Sequence, residues 1–209
     1  TGVYAAMHEN GKMDRFLNQL FFTFYSIPNF WLASLLIIFF TNSDYFNWFP
    51  SYGIGEFSAN NSVLENLTIR LQHLFLPTLV WTYSSIAFVF RQVRNSMIKQ
   101  LKSDYIITAR AKGLSSNTVS WKHAFKNASF PLITIIGSSL PALFSGSFVV
   151  EYIFSIPGMG MLTIQAFSSR DYPVIFGILL FMGCITIIGL LLADLLYAYN
   201  DPRIRLNKS

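Results

Sequence analysis

The run from Pro173 to Tyr197 holds twenty-five residues and a single charged side chain, Asp194. A helix of that composition is apolar on every face, and at ~1.5 Å per residue it is long enough to cross a hydrocarbon layer of ~30 Å. Asp194 sits close to the end of the run, where its carboxylate can reach the interface or a helix-end partner at far lower cost than at mid-membrane. Three further runs, Leu20–Phe40, Leu74–Phe90 and Leu132–Val150, carry no Asp, Glu, Lys or Arg. The expected fold class is all-α, a polytopic transmembrane helical bundle with four visible spans at about 20–40, 74–90, 132–150 and 173–197.

Of the 209 residues, 53% are hydrophobic and 12% charged, about half the charge density of a soluble globular domain. A net charge of +5 on a soluble domain would raise nucleic acid as a partner, so the distribution of the cations matters more than their sum. Segment 1–19 has two Lys or Arg, residues 91–127 have eight and the tail has three, against only Arg70 and Arg170 in the two intervening loops. Cations favour cytoplasmic loops, so this asymmetry places the lipid-embedded bundle with both visible termini and residues 91–127 inside. Residues 41–72 and 151–171 are then external. A helix-turn-helix look to 96–129 raises DNA binding, but short tethers to membrane on both sides remove that reading, and no nucleic acid is expected as a partner.

Within the runs, Pro28 and Asn29 are placed to bend the first span, as a packing kink or as a substrate contact. The loop 41–72 is rich in Asn, Ser, Gly and aromatics, and Tyr45, Phe46 and Trp48 suit an interface. The span 74–90 contains Pro77 and delivers Arg91 and Arg94 at its far end. In 132–150, Gly137, Ser138, Ser139, Ser145 and Ser147 allow either close helix packing or a wet, pathway-lining face. Residues 151–171 are too short and too interrupted by Pro157, Gly158 and Gly160 for a span, and read as a re-entrant or surface-lying segment. The lone Cys184 excludes an intrachain disulfide and reads as a small packed hydrophobe. The opening TGVYAAMHENGK has no apolar signal core, so the chain is expected to start inside a longer protein.

Between the second and third spans lies a polar, basic island. Ile98, Leu101, Tyr105, Thr108 and Ala109 share a helical face, which predicts a helix over about 96–111. Gly113 fits its stop, because the residue just past a helix end often needs positive φ. Ser115 or Ser116 can cap a second helix with the stripe Leu114, Thr118, Trp121, Phe125 and Ala128, and Pro131 forces a kink or restart. An exposed amphipathic helix pair of this kind can seat its apolar stripe in a groove on another protein. Catalytic signals are missing: no G-x-x-x-x-G-K-[ST] phosphate loop, no H-E-x-x-H metal pair and no G-x-S-x-G turn occurs, so no cofactor, metal or catalytic site is expected. A secondary transporter or channel is the competing class, but apart from Asp194 the spans lack the ionisable groups that would couple ions.

The run Tyr105, Ala109-Arg110-Ala111-Lys112-Gly113-Leu114, followed by His123-Ala124, Asn127-Ala128 and Pro131, resembles the cytoplasmic coupling loop of the dipeptide/oligopeptide permease family of ABC importers. Arg91 and Arg94, Glu151, Pro157-Gly158-Met159-Gly160, Arg170-Asp171-Tyr172-Pro173 and Asp201-Pro202-Arg203-Ile204-Arg205 are similar to that family in order and spacing. Where the wider superfamily often has Glu-Ala-Ala before the loop glycine, this chain has Ile107, Thr108 and Ala109, so a glutamate-mediated contact does not transfer. The resemblance implies an ABC importer type I-like permease fold in the inner membrane, with a coupling loop at 96–131. It also implies six spans per subunit, roughly the first third of which precedes this chain. The implied partners are two ABC ATPase subunits, a second homologous permease subunit and an external solute-binding protein. Ala109, Arg110, Lys112, Gly113, Leu114, Trp121, His123, Phe125 and Asn127 are the implied coupling residues. Leu114, Trp121 and Phe125 are the expected anchors. Asn29, Ser138, Ser145, Ser147 and Glu151 are candidates for the pathway. Peptides are the leading solute, with nickel chelates and sugars as alternatives carried by relatives with the same loop.

Single cysteines test the orientation. In a Cys184→Ser background, an impermeant thiol reagent on intact cells is expected to label Ser58→Cys and to spare Ser116→Cys; the opposite pattern would invert the topology.

Overall fold

The computed structural model describes residues 1–200, and the Asp201–Arg205 motif with the three tail cations lies outside the described residues. Every regular element among the described residues is helical: α1 Gly2–Met7, α2 Lys12–Ser26, α3 Asn29–Phe40, α4 Val63–Leu101, α5 Asp104–Ala111, α6 Ser116–Thr118, a π-helical turn Val119–Ala124, α7 Phe125–Ala128, α8 Phe130–Ser145, α9 Phe148–Ile153, α10 Met159–Ser169 and α11 Tyr172–Asn200. Val63–Leu101, Phe130–Ile153 and Tyr172–Tyr199 are long and apolar enough to cross a membrane. The bent pair Lys12–Ser26 and Asn29–Phe40 makes a fourth if taken as one broken span.

The helix bounds depart from the charge-free runs for local reasons. The run 20–40 is divided at Ile27 and Pro28, where Pro28 adopts an extended ψ of 137° and α3 restarts behind it. α4 begins well before Leu74, inside what reads as an external loop, because Ser62 and Glu65 form a capping box. The Glu65 amide donates to Ser62 Oγ at 3.2 Å, and the Ser62 amide donates to Glu65 Oε2 at 2.7 Å. The helix then continues through Pro77. The run 132–150 is interrupted at Gly146, whose φ of +68° ends α8 before α9 begins. Pro131 lies in the first turn of α8, where its missing N–H is one of the helix's unpaired donors in any case.

The chain forms two compact units. One comprises 25–85 and 143–182. Its core gathers Ala33, Leu76, Val80, Tyr83, Val150 and Phe154. The Tyr83 hydroxyl donates to the Ile27 carbonyl that the break before Pro28 would otherwise leave open. In the first turn of α4, Asn66 is 4% exposed and pins the preceding loop by accepting from the Ser58 amide and donating to the Ser58 carbonyl.

The other unit comprises 1–24, 86–142 and the chain from Gly183. Here α8 and α11 approach closely: a Cβ on Gly137 would meet Ala193 Cβ at 2.5 Å and the Gly189 carbonyl at 2.9 Å. Gly137 thus packs helix on helix. Tyr197 closes the same contact, stacking on Phe130 and donating to its carbonyl at 3.1 Å. Cys184 is exposed on α11 rather than packed.

A buried ion pair joins α2 to α4. Arg94 approaches Asp14 with two parallel bonds, Nε to Oδ1 at 2.6 Å and Nη2 to Oδ2 at 2.7 Å. Asn18 and the Asn10 amide donate to the same carboxylate at 2.8 and 2.9 Å. Next to the pair, Phe21 stacks on Phe90 at 4.2 Å. Asp14 is 1% exposed, so removing its partner would strand a charge. Arg94→Ala is expected to destabilise the fold by about 3–5 kcal/mol, whereas Asp14→Leu with Arg94→Met should recover most of that loss. Thermal unfolding of the detergent-solubilised proteins as a double-mutant cycle measures both.

Candidate functional site

The basic segment after α4 is a folded object with one locked face and one open face. The expected continuous helix over 96–111 is broken at Lys102 and Ser103, and α5 starts afresh from Ser103 as N-cap. The restart shifts the helical phase. Ile98 and Leu101 still pack on the core and Ala109 is buried, but Ile106 takes the buried place, leaving Tyr105 39% exposed. α5 ends in a Schellman motif, with the Leu114 amide donating to the Ala109 carbonyl at 3.4 Å and the Gly113 amide to the Arg110 carbonyl at 2.9 Å. Gly113 has φ of +78°, and a Cβ there would have no neighbour within 4 Å. Glycine is therefore required by the backbone, not by crowding.

The second helix of the loop is capped by Ser115, whose Oγ accepts from the Thr118 amide at 3.3 Å. Its middle is the π-helical turn Val119–Ala124. Beyond the turn Phe125 and Ala128 still pack on the core as the stripe predicts, whereas Leu114 before it and Trp121 within it do not. Val119, Ser120, Ala124 and Ala128 face inward, while Trp121 is 52% exposed and Leu114 41%. Phe125 is half-buried against the core, and its ring lies 5.4 Å from that of Trp121. The inward faces of both helices meet Val3, Ala6 and Met97.

The stripe expected from periodicity thus divides. Leu114 and Trp121 are outward, and Arg110, Lys112 and Lys122 of the same loop are exposed too, while Phe125 packs its ring against Trp121. Ala109 is a core residue, and His123 and Asn127 are half-buried. Periodicity does not reveal the bolt between the two helices. Asn127 Nδ2 donates to the Tyr105 hydroxyl at 3.0 Å, and that hydroxyl donates to Gln100 Oε1 at 2.9 Å. Placing Tyr105 in an apolar stripe conceals its polar end.

The pathway candidates fall in different settings. Asn29 is half-buried at the start of α3. Ser138 is exposed on α8, its hydroxyl returned to the Ile135 carbonyl at 3.1 Å. Ser145 ends α8, and Ser147 follows the break at Gly146. Glu151 is 7% exposed, and its carboxylate accepts from the Ser147 amide at 3.1 Å and the Met161 amide at 2.7 Å. The glycines of the Pro157–Gly160 run have a reason: a Cβ on Gly158 would lie 2.5 Å from the Glu151 carboxyl carbon, and one on Gly160 would lie 2.6 Å from the Phe148 amide nitrogen. Glu151 clasps α9 to the start of α10.

Helices fit to span a membrane, joined by a basic two-helix loop, define a polytopic helical membrane protein, and the family match gives it the type I ABC permease fold. The chain belongs to the family of binding-protein-dependent transport system inner membrane components, which it matches over residues 1–206. It is 40% identical over 208 residues to the dipeptide transport system permease protein DppB of Bacillus subtilis, covering 99% of this chain and 62% of that one. It is 38% identical over 203 residues to the oligopeptide transport system permease protein AppB of the same species, covering 97% and 62%. The inner membrane ABC transporter permease protein YejB of Escherichia coli O157:H7 is 37% identical over 212 residues, covering 97% and 56%. The chain spans about three fifths of the length of these relatives.

Glu151→Gln replaces one acceptor oxygen with a donor facing a donor, and is expected to cost about 1–3 kcal/mol. Gly158→Ala with Gly160→Ala should displace the same carboxylate. Limited proteolysis within 154–171 should accelerate in both variants and uptake should fall, while the protein still inserts; unchanged proteolysis would remove the clasp.

Proposed function

We propose that this chain is part of the membrane-spanning permease of an ATP-driven importer for dipeptides or oligopeptides, and that residues 103–129 dock on a separate ATPase subunit. The observation that carries the reading is the loop's division: an inner set of mostly small side chains packed in the core, and Leu114, Trp121, Arg110, Lys112 and Lys122 left exposed. An exposed tryptophan held by a neighbouring ring, with exposed cations on the same loop, has the make-up of an interface hot spot. The peptide assignment is supported by the relatives, which are named as dipeptide and oligopeptide permeases.

In this reading the loop lies in the cytoplasm, in line with the cation distribution. ATP is bound and hydrolysed on the partner subunits, and an external binding protein delivers solute to a pair of permease chains. The permease contributes a lever, not a reacting group. Nucleotide-driven movement of the ATPase acts on α5 and the π-containing helix together, because the Tyr105–Asn127 bond and the shared core keep their angle constant. Residues 151–171 lie outside, where the Glu151 clasp holds the Pro157–Gly160 turn at the mouth of the pathway.

The test separates docking from folding. Trp121→Ala is expected to weaken ATPase binding by at least ~2 kcal/mol, about 30-fold, with membrane insertion unchanged. Gly113→Val strains a left-handed position by about 1–2 kcal/mol and should yield an inserted permease whose ATPases dissociate or hydrolyse ATP without transport. Normal uptake and normal ATPase recovery in both variants would refute the docking assignment.

A further inference from the structure

Residues 1–14 are folded onto the basic loop although the chain separates them widely. α1 has six residues, too few to hold a helix in water unaided, so its conformation depends on what it packs against. Val3 and Ala6 are 7% and 3% exposed. They share one core with Met97 of α4, Ile106 and Ala109 of α5, Val119 and Ala124 of the π-helical turn and Ala128 of α7. Gly2 lies against α4, where a Cβ would come within 3.0 Å of the Val93 side chain and 3.1 Å of the Phe90 carbonyl oxygen. Two ion pairs continue the attachment. Glu9 meets Lys102 at 2.9 Å, at the break between α4 and α5, and Asp14 in the first turn of α2 holds Arg94. The turn from α1 to α2 is itself tied. Asn10 has φ of +65°, its amide donates to Asp14 Oδ2 at 2.9 Å, and the Gly11 amide donates to the His8 carbonyl at 2.9 Å.

We infer that residues 1–14 pass movement of the loop to α2, so that the unit moved by the ATPase includes α1 as well as the two loop helices. The inference rests on the docking of residues 103–129 proposed above, but not on which solute is carried. The loop is continuous in the chain with α4 and α8, and a push on its outer face reaches those helices through the backbone. α2 has no such continuity with it. α1 supplies the connection, because it is packed in the core that both loop helices share and is joined to α2 by a hydrogen-bonded turn. The connection is stiff for a chemical reason. Ala6, Ala109, Ala124 and Ala128 have no side-chain rotamers with which to yield, and close-packed interiors pass strain on. Were α1 only a filler of this core, its packing would matter and its link to α2 would not.

The test uses the full-length permease in its complex and needs no solute. Spin labels at Gln19→Cys on α2 and Thr108→Cys on α5, both exposed positions, in a Cys184→Ser background report the distance between α2 and the loop by pulsed electron paramagnetic resonance. It is measured without nucleotide and with ATP in EDTA, which permits binding without hydrolysis. With the link intact the distance is expected to stay the same, because the two elements move together. Insertion of Gly-Ser-Gly-Ser between Glu9 and Asn10 leaves the packing of Val3 and Ala6 and both ion pairs in place but makes the link slack. In that variant ATP is expected to shift the distance by about 2 Å or more, the scale of helix shifts in switching proteins. Ala6→Leu, which overpacks the core and forces α1 outward, should reproduce the shift by a route that leaves the link's length alone. A shift with the link intact, or none in either variant, would overturn the inference. Failure of the docking assignment shows elsewhere, as normal ATPase recovery in Trp121→Ala. Loss of the ATPase from Trp121→Ala together with an unshifted distance in the insertion and Ala6→Leu variants would leave docking standing and make α1 a filler.

Discussion

A carboxylate that is 1% exposed at the start of a membrane-bound helix has few tolerable environments. Asp14 has one: two bonds from Arg94, one from Asn18 and one from the Asn10 amide. Such a pair adds less to stability than its geometry suggests, because both charges are taken out of water. Its weight lies in what it forbids. Sliding α2 along α4 by one turn would leave the buried Asp14 carboxylate without its partly exposed partner, a cost of several kcal/mol, which favours one register of the two helices. The stacked Phe21 and Phe90 then fall into place beside it. The end of α4, from which the basic loop departs, is positioned by the same contact.

Below that register the loop is built on small residues. Ala6, Ala109, Ala124 and Ala128 form much of its interior, with Met97 and Ile106 as the larger fillers. Small side chains let α1, the end of α4 and the two loop helices approach closely, and the bulky groups are left to the outside. This inverts the usual arrangement of a water-facing helix, in which Trp121 would be buried and Ala124 exposed. Trp121 lies within the π turn Val119–Ala124, with its ring against that of Phe125. π turns within helices are often associated with functional positions.

The spans are legible in the sequence because charge and length suffice to recognise them: each charge-free run falls within a helix or a pair of helices. Their ends are not, because they depend on short-range chemistry that hydropathy ignores. The Ser62–Glu65 capping box that begins α4 is nonetheless written in the sequence as S-x-x-E. Gly113 is recognisable as a helix stop for the same reason that it is glycine, a positive φ. The faces of the loop escape a sequence reading because a strict 3.6-residue period does not hold through a break at Lys102 or within a π turn. Neither leaves a compositional mark. The role of Glu151 also lies beyond the sequence, since its partners are backbone amides, one of them ten residues away.

Exposed apolar side chains have opposite meanings in the two halves of this surface. On α11, Phe176, Leu179 and Leu180 are more than half exposed on a helix with almost no charge, and hydrocarbon or another apolar chain solvates them at no penalty. Trp121 shares its segment with the exposed Arg110, Lys112 and Lys122, whose charge would be costly in hydrocarbon, so its solvent is water unless a protein covers it. A ring left 52% exposed to water is a standing source of binding free energy. Lipid satisfies the apolar surface of the spans, whereas that of the loop faces water or, in the function proposed above, a protein groove. The distribution of charge along one chain therefore separates apolar surface suited to membrane from apolar surface that is costly to leave in water.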